Sequence, residues 1–139
     1  MTREQEKELI TEELKKLARP EINIDIVDGT VPSPISSKLG GKPVVPAGFK
    51  WPTFQIKWLD YEGEEINRPL SFLAQINLEE VKQYDKENLL PATGILSFFY
   101  CFEYNNEGGF LDGPDSHDCL RVYYFEDTSS LSVADYRGL

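Results

Sequence analysis

The sequence predicts an α+β protein, mainly antiparallel β-sheet with an N-terminal helix and one short helix near residues 78–84. Three observations predict it. A charged, capped opening carries apolar residues at helical spacing, several later segments alternate with the period of strands, and a stretch crowded with proline and glycine fits neither pattern. The chain has 139 residues, 40% of them hydrophobic and 12% aromatic. That suits a single folded domain, which at this size hides roughly 68% of the surface its unfolded chain exposes. The expected division is a leading helix over 1–19 and a sheet-rich body over 20–139.

In the opening segment, Thr2 and Gln5 have the spacing of a capping box. Ile10, Leu14 and Leu17 follow at i, i+4 and i+7, a narrow apolar stripe flanked by Leu9 and Ala18. Arg19-Pro20 stops the helix, because the proline ring disfavours helical geometry at the residue before it. Ile22, Ile24 and Ile26 then alternate with Asn23 and Asp25, which predicts a half-buried strand.

Val31 to Pro52 holds five prolines and three glycines in 22 residues. It is therefore neither a helix nor a central strand. Phe54, Ile56 and Trp58, a turn through Gly63, and Leu70, Phe72, Ala74 and Ile76 on one side predict a hairpin. Asn77, with Glu80 three residues on, starts the short helix, with Leu78 and Val81 facing inward. Ile95 to Tyr104 is apolar on both faces and is expected in the middle of a sheet with cover on each side. Residues 119–126, "CLRVYYFE", are its expected antiparallel partner, across a 14-residue loop from Asn105 to Asp118.

Charge bounds the function. With 24 acids against 14 bases the net charge is −10, and the acidity is concentrated after residue 100. Duplex nucleic acid is not an expected partner, since neutralising phosphates takes a basic face. Gly29 to Leu59 runs against the trend, with no acid but Lys38, Lys42, Lys50 and Lys57. No run approaches the roughly 18 apolar residues of a membrane span. Cys101 and Cys119, with no apolar leader behind "MTREQEKELI", predict a cytoplasmic protein with reduced thiols.

Four blocks, "SKLGGKPVVPAGFKWP", "RPLSFLAQINLEEV", "LLPATGILSFFY" and "CLRVYYFED", occur in the order and spacing of the YwqG-like family, a bacterial group with a domain of unknown function. The chain resembles that family from about Ser37 onward. The resemblance implies an α+β fold dominated by antiparallel sheet and brings no catalytic residues with it. It also implies kinship with a wider group of programmed-cell-death-related proteins and ribosome-biogenesis factors that act as chaperones or adaptors, and with relatives beside polymorphic toxins that have binding or immunity roles. Family members are typically longer, with a further sheet-rich portion, so this chain reads as a truncated or short member.

The residues offer several candidate chemistries. Gly40 and Gly41 can turn successive amides one way into an anion-holding nest, with Lys38 and Lys42 beside it. The plainer reading is a stiff wrap whose Trp51 plugs the core. Gln75, a buried amide in an apolar strand, either bonds loop backbone, such as the Gly-Gly segment, or recognises a peptide bond. Zinc on Cys101, His117, Cys119 and Asp115 lacks the close CxxC pairs of structural sites, so no metal and no cofactor is expected. His117 is the sole base for nucleophilic catalysis and lies in a loop beside Asp115 and Asp118. Glu64-Glu65 reads as an exposed turn, and Glu79-Glu80 as acids at a helix start.

The expected function is a non-catalytic protein-binding module: an adaptor, chaperone-like or immunity-type partner in the bacterial cytoplasm, steered to a basic partner by Asp112, Asp115 and Asp118. The alternative is a small-anion or metabolite-binding protein, or an enzyme. It would use a pocket under the Gly/Pro-rich segment, lined by Lys38, Trp51, Gln75 and His117.

Overall fold

A computed structural model describes residues 1–56, 66–101 and 120–135. It is α+β, with an N-terminal helix, one short helix and antiparallel sheets. Helix α1 spans Arg3–Leu17 and opens with the expected capping box: the Gln5 amide donates to Thr2 Oγ1 at 3.3 Å and the Thr2 amide to Gln5 Oε1 at 2.9 Å. None of its residues is buried, and Ile10, Leu14 and Leu17 are 60%, 61% and 76% exposed.

The strand expected over Ile22–Ile26 does not form. That segment has no regular secondary structure, and Ile24 and Ile26 are exposed. Alternation supplies strand propensity, but a strand persists only where a neighbour completes its ladder, and among the described residues none pairs with it.

The proline- and glycine-rich stretch contributes two short strands, β1 (Lys38–Leu39) and β2 (Val44–Pro46). Next come β3 (Thr53–Ile56), β4 (Ile66–Pro69) and β5 (Ser71–Asn77). Helix α2 (Leu78–Val81) runs on into a 3-10 turn over Lys82–Tyr84. Then β6 (Ile95–Tyr100), β7 (Leu120–Phe125), a 3-10 turn at Thr128–Ser130 and β8 (Leu131–Val133) complete the described chain. The main sheet has the order β1-β5-β6-β7, all antiparallel, while β2 pairs with β8 and β3 with β4.

The expected hairpin is corrected. β3 pairs with β4, Thr53 opposite Pro69, and β5 leaves for the main sheet. Pro69 has no amide to extend a ladder. The next amide, Leu70's, bonds Pro52 O at 2.9 Å while its side chain is buried, so the chain turns a corner there. Within β5 a bulge between Phe72 and Ala74 breaks the alternation. Phe72 therefore shares a face with Gln75, and Leu70, Phe72, Ala74 and Ile76 do not share one side.

β6 lies inside the sheet and pairs with β7 as expected, but among the described residues only one of its faces is fully buried. Inward, Phe99 is fully buried and meets Trp51 edge-on at 5.0 Å, Tyr123 at 5.6 Å, Phe72 at 5.7 Å and Phe49 at 6.0 Å. Leu70, Phe54 and Cys101 close this core. Outward, Leu96, Phe98 and Tyr100 stay only partly buried.

Candidate functional site

Outside the short ladders of β1 and β2, backbone groups of the wrap need other partners, and side chains supply several of them. Gln75 does most of this. Its Oε1 accepts from the Val44 amide at 3.1 Å, and its Nε2 donates to Pro34 O at 2.8 Å and Ser36 O at 2.9 Å. Asn77 continues the seam: its Nδ2 donates to Ile35 O at 3.2 Å, and its Oδ1 caps α2 through the Glu79 amide at 3.0 Å. Ser37 and Glu80 complete a cross-chain exchange. The Asn77 amide donates to Ser37 Oγ at 2.8 Å, and the Ser37 amide to Glu80 Oε2 at 3.1 Å. Glu80 thus reaches across to the wrap instead of back to the helix cap.

Most of the residues proposed for a ligand are engaged within the fold. Gly40 and Gly41 both have positive φ, +70° and +74°, but the Gly40 amide donates to Leu73 O at 2.7 Å. Gly41 and Lys42 are engaged with neighbours as well. Trp51 packs on Phe99, and its indole N–H donates to Leu70 O at 2.8 Å. Gln75 bonds the wrap at Pro34, Ser36 and Val44.

Lys38 differs. It stands opposite Gln75 in the β1–β5 ladder, is partly buried, and has no counter-ion among the described residues. Desolvation lowers its ammonium pKa below the ordinary value. Cys101 is buried in the core, whereas Asp112, Asp115, His117, Asp118 and Cys119 lie outside the described residues.

The second candidate is the outer face of the main sheet. The register lines up Leu39, Ala74, Phe98 and Val122 across four strands, with Ile76, Leu96 and Tyr124 in the next row. Leu39 is 57% exposed, Leu120 and Val122 49%, and Tyr124 43%. The outward positions in these rows carry no charged side chain. Contiguous apolar surface, when large, marks interaction sites on folded monomers. Its sequence signal was the strand Leu120–Phe125, apolar at nearly every position when only one of its faces meets the core.

Residues 37–137 match the family described as Domain of unknown function (DUF1963). No curated protein matches the chain.

Proposed function

The chain belongs to the DUF1963 family, the YwqG-like group, and on that premise we propose that it is a non-catalytic protein-binding module whose contact surface is the outer face of the main sheet. The observation that supports this is the uncharged row Leu39–Ala74–Phe98–Val122, about half-exposed at Leu39 and Val122, in a chain of net charge −10. An apolar face disfavours charged ligands and favours a partner that lays down an amphipathic segment, apolar toward the sheet and polar toward water. The acidic remainder steers encounter with basic proteins, while burial of the row supplies the affinity. The role is that of an adaptor, chaperone-like or immunity-type partner in the bacterial cytoplasm.

The test is affinity capture with the full chain and with Val122→Arg and Leu39→Arg, both at well-exposed positions. Capture that persists at about 1 M salt, where the Debye length is about 3 Å, and is lost in both variants is the expected result. Capture indifferent to both substitutions would remove the face from consideration.

A second reading, anion binding, draws on Lys38, the partly buried ammonium without a described counter-ion. Titration calorimetry with phosphate, sulfate and acidic peptides, against Lys38→Ala, decides it. Saturable binding that the variant abolishes would favour this reading, and no saturable binding eliminates it.

A further inference from the structure

Among the described residues nothing is seen to cover the apolar outer face of the main sheet, and the same chain carries a helix whose apolar stripe is exposed. A 15-residue helix is marginal in water without tertiary contacts, even with good caps. Yet α1 buries nothing, and Ile10, Leu14 and Leu17 project on one side of it. The two surfaces are alike in character, and the helix is long enough to reach across the sheet. α1 is about 22 Å long at 1.5 Å per residue, and the six-residue strands β6 and β7 span about 20 Å. The sheet rows are uncharged, and the stripe of Ile10, Leu14 and Leu17 is narrow, bordered at helical spacing by Lys7 and Glu13.

We propose that α1 is a tethered cover for the outer face, laying Ile10, Leu14 and Leu17 across Leu39, Phe98 and Val122 of its own chain, and that a binding partner displaces it. The inference rests on the outer face being the binding surface, and it names the first occupant of that surface. In the structure α1 stands open.

The tether decides between the same chain and a second copy. The first residue held to the body is Pro34, through Gln75, which leaves residues 18–33 as linker. Sixteen residues reach about 53 Å fully extended and about 22 Å as a flexible coil, enough to bring the helix over the sheet. Linkers of this kind give effective concentrations in the millimolar range. A second copy offers the same contacts without that advantage, so closure within one chain precedes exchange between chains.

Hydrogen exchange on the full chain tests the inference. Amides of Leu9–Leu17 are expected to exchange about 100-fold more slowly than in the isolated peptide 1–19, equally at low and high protein concentration. Leu14→Glu and Val122→Glu should each abolish that protection while β5 and β6 keep theirs. If Val122→Glu fails to fold, Leu39→Glu at the sheet edge serves in its place.

Unprotected α1 amides, protection that survives the sheet variants, or protection that grows with concentration would each overturn the proposal. Unprotected α1 together with capture that still depends on Val122 defeats the cover alone. Protected α1 with capture indifferent to Val122 supports the cover and defeats the binding role.

Discussion

Gln75 and Ser97 face each other in the ladder between β5 and β6, both fully enclosed, yet Gln75 holds three backbone groups of the wrap and Ser97 Oγ has no partner among the described residues. Neighbouring polar residues in one buried row thus contribute with opposite sign.

Gln75→Ala should destabilise the protein by about 2–4 kcal/mol, because the Val44 amide and the Ser36 carbonyl lose their partners inside the fold. Urea unfolding measures this. An unchanged midpoint would mean that the wrap is held by other contacts.

Ser97→Ala should be neutral or stabilise by up to about 1 kcal/mol, since it deletes a buried hydroxyl that lacks a hydrogen bond. The same unfolding experiment compares the two. A loss of more than about 1 kcal/mol would reveal a partner for Ser97.

Gly94→Ala should be severe, at about 2 kcal/mol or more. Gly94 has φ +106°, and an added Cβ would lie 2.5 Å from Tyr124 Cε2 and 2.8 Å from Phe125 O. Gly48, at φ +74° with nothing within 4 Å, is the control, and its alanine variant should cost about 1 kcal/mol from backbone conformation alone. Equal thermal midpoints for the two variants would contradict this.

Asp85 titration should shape acid stability. The backbone amide of Leu90 at 2.9 Å, then that of Leu89 at 3.0 Å, together with the charge of Lys82, hold its carboxyl below the usual 3.8 against a smaller opposing effect of burial. A lowered folded value means that the stabilisation is fully present above the usual carboxylate range and disappears as pH falls through the depressed value. Asp85→Asn should therefore be less stable at neutral pH and show a flatter decline in acid, read as thermal midpoints across pH. A parallel decline would contradict the assignment.

Local chemistry was legible in the sequence where it acts over a few residues. Thr2 and Gln5 announce α1, Asn77 announces α2, and the apolar run of β6 finds β7. What escaped depends on long-range partners. The alternation at Ile22–Ile26 signals a strand that has no ladder to join, and the bulge after Phe72 reverses which side chains accompany Gln75.

Sequence spacing reads the candidate surfaces poorly for the same reason. Gly40 has the positive φ that a nest uses, but its amide already serves Leu73 O. Outward Leu39 and Val122 become neighbours of one surface only through the register of four strands.

The most direct measurement is site-specific photo-cross-linking in bacterial cells, with the reactive amino acid placed at position 122 on the sheet face or at exposed position 87 beyond α2. An intermolecular protein adduct is expected from position 122 and none from position 87. Adducts from position 87 with none from position 122 would contradict that expectation.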